Sequence, residues 1–156
     1  MGTCSGRKRT RLDVALYSDP TAVCLVTACT RDRAPFFRPG PLATACVDLL
    51  IERAQAGNVS LLAFCLMPDH LHLLVSPGNG TSIVTFVGEF KSLSTRIAWG
   101  YGVAGRIWQQ GFYDHFLRRE EDIEETVRYI LANPVRRGIV EDWRAYPYCG
   151  SLVYDL

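Results

Sequence analysis

The sequence contains no run of about 18 apolar residues, so it predicts no transmembrane helix. Residues 1–11 are polar and basic, and no apolar segment of the kind that a secretory signal needs follows them. The six cysteines form no C-x-x-C pair, which indicates reduced, mostly buried thiols rather than a disulfide framework. Together these absences predict a cytoplasmic protein that does not associate with membranes.

Charge is nearly balanced, with 17 basic and 16 acidic residues and a net charge of +1. Four of the basic residues lie close together near the start of the chain, at Arg7, Lys8, Arg9 and Arg11. Such an arm is able to contact phosphates, but a solvated tail fits the same composition. We interpret residues 1–19 as a basic, flexible leader and residues 20–156 as one domain, because this length suits a single core.

The hydrophobic pattern divides the domain into alternating elements. Apolar and β-branched runs predict strands over residues 21–30, 60–67, 70–75 and 106–116. Helical spacing predicts three helices. The first covers residues 42–57, the second begins after a Thr81 cap, and the third runs from Glu120 to Pro134. This order predicts an α+β fold, namely a ferredoxin-like β-α-β-β-α-β sandwich with an antiparallel sheet, plus a C-terminal helix.

Two of the three histidines stand in one predicted strand, at His70 and His72. Side chains at i and i+2 share one face of a strand, so both imidazoles point the same way, about one metal-ligand bite apart. The ordinary interpretation of such a pair is two polar residues on the solvent face of a sheet. The spacing alone therefore leaves both a metal site and a solvated face open.

A second pattern lies at the end of the last predicted helix, where Tyr129 and Asn133 are one turn apart. That spacing puts the phenol and the amide on one helix face, beside the apolar stripe. A tyrosine is able to act as a covalent nucleophile, and an amide oxygen is a hard ligand suited to Mg²⁺ or Mn²⁺. A tyrosine that shields the sheet, with an asparagine that ends the helix, fits the pattern too.

Several motifs in this order resemble the REP-associated tyrosine transposases, which belong to the single-strand transposases of the HUH superfamily. They are Met67–Val75 (MPDHLHLLV), Phe90–Ser92 (FKS), Ile107–Gln109 (IWQ), Gly111–Asp114 (GFYD) and Tyr129–Val135 (YILANPV). The resemblance runs from about residue 23 to residue 148. Insertion-sequence relatives usually have Gln where this chain has Asn133, so the asparagine favours the REP-associated branch.

The resemblance implies an enzyme that cuts single-stranded DNA at hairpin-forming repeats. His70, His72 and Asn133 would hold a divalent metal, Mg²⁺ or Mn²⁺. Tyr129, on the C-terminal helix, would be the nucleophile and form a 5′-phosphotyrosine bond. The resemblance also implies a bacterial, nucleoid-associated location. A non-catalytic protein that binds single-stranded DNA or RNA hairpins remains the alternative.

Further residues are candidates for contact with the DNA, and we expect the chain to act as a monomer rather than a homodimer. The basic arm and two residues of the second predicted helix are candidates because they are positively charged. One tryptophan is a candidate because its ring is able to stack on bases. The full set is Arg7, Lys8, Arg9, Arg11, Lys91, Arg96 and Trp108.

Overall fold

A computed structural model describes residues 14–118 and 120–156 of the chain. The strands are β1 (Val23–Cys29), β2 (Ser60–Met67), β3 (His70–Ser76), β4 (Tyr113–Leu117) and β5 (Cys149–Gly150). The α-helices are α1 (Pro41–Ala56), α2 (Ile83–Gly100), α3 (Glu120–Leu131) and the short α4 (Asn133–Arg136). The strands form one antiparallel sheet in the order β4-β1-β3-β2-β5. The first four strands and two helices have the predicted β-α-β-β-α-β arrangement.

The strand β3 lies at the centre of the sheet, between β1 and β2. All seven of its residues are buried, so both faces of the strand are covered. Helix α3 packs against β2 and β3, and α1 packs against α2 and β2. Because side chains alternate along a strand, β3 presents its histidines to one layer and Leu71, Leu73 and Val75 to the other.

Three predicted elements differ from the structure. The fourth strand begins at Tyr113 rather than at residue 106, and the segment before it is irregular apart from one bridge between Trp108 and Thr30. Pro134 does not end the helical region, because it lies in the first turn of α4, where a missing N–H costs nothing. The short edge strand β5 was not predicted, since two residues carry no periodicity.

The start of the described chain is packed rather than loose. Residues Val14–Ser18 form a 3₁₀ helix, and the buried Tyr17 donates a 2.6 Å hydrogen bond to Asp114. The packed chain therefore begins before residue 20, whereas the basic arm lies outside the described residues. No helix in the described ranges is long and apolar enough to cross a membrane.

The cysteines only partly follow the expectation of reduced thiols. Cys24, Cys46, Cys65 and Cys149 carry thiols rather than disulfide bonds, and the first three are buried. Cys29 is disulfide-bonded, so the expectation was wrong for this residue.

Trp108 is part of the core. It is 4% exposed, its ring stacks on Phe37 with centroids 5.0 Å apart, and its indole N–H donates a 2.9 Å hydrogen bond to Ser94 Oγ. This placement does not support the predicted stacking on DNA bases.

Replacing Trp108 with alanine should lower the free energy of unfolding by about 3–5 kcal/mol, because it empties a packed core position. The matched control is Trp99→Ala, since Trp99 is 53% exposed and donates only to Gly105 O. The control should cost about 1 kcal/mol or less. Urea unfolding of both variants measures the difference, and equal losses would contradict the core assignment.

Candidate active site

His70 and His72 lie on the same face of β3, as the i and i+2 spacing predicts. Their rings are edge to face with centroids 4.7 Å apart. The two residues are only 4% and 7% exposed, so the interpretation of a solvated sheet face is wrong. The sequence could not show this, because the cover comes from α3 and α4, and the Asn133 that contacts His70 is 63 positions further along the chain.

His70 has a partner on each ring nitrogen. Nδ1 is 2.7 Å from Asp69 Oδ1, and Nε2 is 3.0 Å from Asn133 Nδ2. A carboxylate accepts hydrogen bonds and an amide nitrogen donates them. The proton of the neutral imidazole therefore lies on Nδ1, and the lone pair on Nε2 faces Asn133.

His72 contacts a strand and a helix. Its Nδ1 is 3.0 Å from Thr27 Oγ1, which lies opposite it on β1. Its ring lies 6.1 Å from the Tyr129 ring, centroid to centroid, at an angle of 67°. If the proton of His72 is on Nδ1, this N–H donates a hydrogen bond to Thr27 Oγ1. The lone pair on Nε2 is then available on the side of the sheet that carries Tyr129.

Both histidines are held in the neutral form. Burial lowers the pKa of His70, although the adjacent Asp69 carboxylate opposes the shift. Burial also lowers the pKa of His72 to about 3, assisted by the neighbouring His70 when that ring is protonated and by the positive charges of Arg136, Arg137 and Arg33. Neutral imidazole is the form that binds metals.

Tyr129 lies on α3, half-buried against the core. The Arg136 guanidinium stacks over its ring at 4.0 Å, and Arg136 Nη1 donates a 2.9 Å hydrogen bond to the Tyr129 carbonyl. The intervening Ala132 keeps a helical backbone (φ −76°, ψ −8°), so Tyr129 and Asn133 keep their spacing across the junction of α3 and α4. The structure thus brings Tyr129, Asn133 and both histidines to one place.

The donor types are ones that divalent metals accept. Two neutral imidazoles and an amide group meet in a buried position; imidazole nitrogen suits metals such as Zn, Fe and Ni, and an amide oxygen suits Mg²⁺ and Mn²⁺. No cluster of three or more His, Cys, Asp or Glu that could hold a metal occurs within residues 14–118 and 120–156. Asn133 would therefore be needed as the third ligand.

Of the predicted DNA contacts, Lys91, Arg96 and Trp108 lie in the part of the chain that the structure describes. Lys91 Nζ donates to the carbonyl oxygens of Gln109, at 2.9 Å, and Gly111, which ties α2 to the loop before β4. Arg96 is exposed on α2. The arm residues Arg7, Lys8, Arg9 and Arg11 lie outside the described residues, so their role stays a prediction.

Four residues of the site were not singled out from the sequence: Thr27, Arg33, Asp69 and Arg136. Asp69 directly precedes the histidine pair, and this position was a signal that could have been used. The others could not be found, because their approach depends on strand pairing and on loops that meet in three dimensions.

Comparison with known proteins identifies the family. Residues 23–133, most of the chain, match the family described as transposase IS200 like. The chain belongs to the IS200-like transposase family. The matched span contains both histidines, Tyr129 and Asn133.

Individual transposases of this family are similar over part of the chain. A Haemophilus influenzae protein named "Putative REP-associated tyrosine transposase" is 32% identical over 99 residues, 56% of this chain and 56% of the relative. A REP-associated tyrosine transposase of Escherichia coli is 27% identical over 86 residues, 55% of this chain and 50% of the relative. The matches thus span about half the length of these relatives. They confirm the resemblance to REP-associated transposases.

A solved structure confirms the fold class. It is described as a REP-associated tyrosine transposase bound to a REP hairpin, and it matches with a TM-score of 0.68. The sequences are 22% identical, and the match covers 85% of this chain and 78% of that one. The predicted α+β fold with an antiparallel sheet is therefore correct.

We expect acid to destabilise the protein through these histidines. The pKa of His72 is about 3 in the folded protein and about 6.5 in the unfolded chain. Between about pH 6.5 and pH 3 the unfolded chain therefore binds more protons than the folded protein. Stability is present above about pH 6.5 and falls as pH decreases toward 3, by up to about 1.4 kcal/mol per pH unit for His72. His72→Gln should flatten the dependence.

Urea unfolding at pH 7, 6 and 5 measures this slope for both proteins. Burial opposes ionisation of Asp69, but hydrogen bonds from His70 and Arg33 hold its pKa low. The stability that depends on its ionised form is therefore lost nearer about pH 4 and below, so measurements between about pH 5 and 7 avoid most of that contribution. An identical slope in His72→Gln would contradict the assignment.

Proposed function

We propose that this protein is a metal-dependent single-strand DNA endonuclease and strand transferase that acts on hairpin-forming repeats. The observation that carries the proposal is the meeting of a buried histidine pair, the Asn133 amide and the Tyr129 ring on one face of the sheet. Family membership and the relatives named for REP elements support the same substrate class.

His70, His72 and Asn133 would hold the cation, Mg²⁺ or Mn²⁺. A bound cation of this kind polarises a phosphate oxygen and neutralises the charge that develops during substitution at phosphorus. The Nε2 atom of His70 carries a lone pair in the described tautomer, and the Asn133 amide group already lies against it. To bind a cation at this atom, the Asn133 N–H donor would have to leave the lone pair, and the amide would turn its oxygen toward the cation.

Tyr129 would attack the scissile phosphate. The phenol oxygen forms a bond to phosphorus and loses its proton, the bond from phosphorus to the 3′ oxygen breaks, and that oxygen takes up a proton. The products are a 5′-phosphotyrosine and a free 3′ hydroxyl. A second 3′ hydroxyl would reverse these steps and reseal the strand, so no external energy is required.

The chain carries its own nucleophile at its own site. Tyr129 is next to His72 within one polypeptide, and Arg136 fixes both its ring and its carbonyl. This arrangement supports action as a monomer, because no second copy is needed to supply the tyrosine.

Tyr129→Phe should abolish cleavage and the covalent adduct, because it removes the attacking oxygen and almost nothing else. Hairpin affinity should stay within about threefold, since the ring and its Arg136 stack are retained. A labelled single-stranded hairpin with Mn²⁺, resolved on a denaturing gel, detects the adduct. Tyr101→Phe is the matched control, because Tyr101 is exposed at the end of α2.

Cleavage by Tyr129→Phe at the wild-type rate would refute the tyrosine mechanism. If the wild type bound hairpins but formed no adduct with Mg²⁺ or Mn²⁺, the protein would instead be a non-catalytic hairpin binder. Addition of a chelator to the wild type should remove the adduct and leave binding in place.

Deletion of residues 1–11 should weaken hairpin binding and reduce its salt dependence. The arm carries Arg7, Lys8, Arg9 and Arg11. Each phosphate contact displaces counterions from the DNA, so loss of the arm should reduce the number of counterions released on binding. Affinity measured between about 50 and 200 mM salt gives the slope for both proteins. An unchanged slope would make the arm a passive tail.

A further inference from the structure

The turn before the histidine strand is held by the loop that follows β1. Thr30 N donates a 3.0 Å hydrogen bond to the Asp69 carbonyl, and Phe37 N donates a 3.0 Å hydrogen bond to the Pro68 carbonyl. Thr30 and Phe37 are fully buried. These backbone bonds fix the position of Asp69 directly ahead of His70.

The same loop brings a guanidinium to the Asp69 side chain. Arg33 Nη2 and Nε lie 2.9 Å and 3.2 Å from Asp69 Oδ2. The other carboxylate oxygen, Oδ1, is 2.7 Å from His70 Nδ1. Asp69 thus has one oxygen committed to the arginine and the other to the histidine.

The backbone of the loop is bent to make this contact. Asp32 and Arg33 have φ values of 56° and 54°, a left-handed conformation that side chains rarely adopt. Two such residues in succession persist only where the surrounding structure holds them. The Arg33 fork on Asp69 and the buried Thr30 backbone are what holds them here.

We propose that Asp69 and Arg33 are positioning residues that fix the His70 tautomer, so that Nε2 always presents its lone pair to the metal. The proposal rests on the metal-binding role proposed above. Asp69 Oδ1 accepts a hydrogen bond from the Nδ1–H of His70 and thereby disfavours the tautomer protonated on Nε2. Arg33 holds the carboxylate in place, since its fork engages the oxygen that His70 does not use. A carboxylate behind a histidine ligand orients the ring in just this way in metal sites.

The test compares Asp69→Asn with Asp32→Asn. Both substitutions remove one carboxylate from the region where the loop after β1 meets the β2–β3 turn. The Asp32 side chain, however, is 85% exposed, and its Oδ2 lies 3.9 Å from Arg31 Nη1. Asparagine also tolerates the left-handed backbone at position 32. The control therefore matches the charge change without touching His70.

The first measurement uses the metal-free protein. The ¹⁵N chemical shifts of the imidazole nitrogens report which one carries the proton. Wild type and Asp32→Asn should show His70 protonated on Nδ1 alone, whereas Asp69→Asn should show a mixture with the Nε2 tautomer. A purely structural role for Asp69 would leave the tautomer unchanged, so an unchanged spectrum would overturn the proposal.

The second measurement is the affinity for Mn²⁺ by calorimetry. Asp69→Asn should weaken it about 10–100-fold, the usual effect of losing such a partner, and Asp32→Asn should not change it. Arg33→Gln keeps the Asp69 carboxylate and should weaken Mn²⁺ binding by a smaller factor. It serves as the second variant if Asp69→Asn does not fold. An Arg33→Gln protein with wild-type affinity would overturn the role of the arginine.

The outcomes separate this proposal from the function on which it rests. A wild type that binds no Mn²⁺ and forms no adduct refutes the proposed function, whatever the tautomer does. A wild type that binds Mn²⁺ and cuts DNA, beside an Asp69→Asn protein with unchanged tautomer and affinity, refutes the positioning role alone.

Discussion

The site depends on the pairing of β3 with strands on both sides. Antiparallel pairing with β1 and β2 fixes the register of the central strand, so His72 lies opposite Thr27 and Cys65. The two-residue period of the strand then puts His70 and His72 on one face and Leu71, Leu73 and Val75 on the other. A register shift of one residue would turn both imidazoles into the opposite layer. The geometry of the donors is therefore a property of the sheet.

Burial of two histidines carries a desolvation penalty, which their hydrogen bonds offset. Buried polar groups without partners are costly, and the side chains of Asp69, Asn133 and Thr27 supply those partners. The same burial keeps both imidazoles neutral. The environment that disfavours the imidazolium thus also keeps both rings in the neutral form that the proposed metal binding requires.

The sequence predicted best where periodicity and local turn chemistry decide the structure. The run Ser60–Met67, the Pro-Asp turn and the strand from His70 were all predicted, since each is a short apolar element around a strong turn signal. Prediction failed where distant packing decides. Trp108 turns into the core instead of continuing a strand, and the burial of the histidines depends on helices far along the chain. Asp69 and Arg33 meet only because a bent loop reaches the β2–β3 turn.

Tyr129 and Asn133, the proposed nucleophile and the proposed third metal ligand, lie in one short segment. The Tyr129 ring contacts the His72 ring, and the Asn133 amide contacts His70 Nε2. Tyr129 and Asn133 are one helical turn apart. The helical backbone at Ala132 and the stack of Arg136 on Tyr129 make that turn stiff. A displacement of the turn would move the phenol and the amide together relative to the sheet. The distance between Tyr129 and the proposed metal ligands on β3 is therefore set by how α3 and α4 pack on that strand.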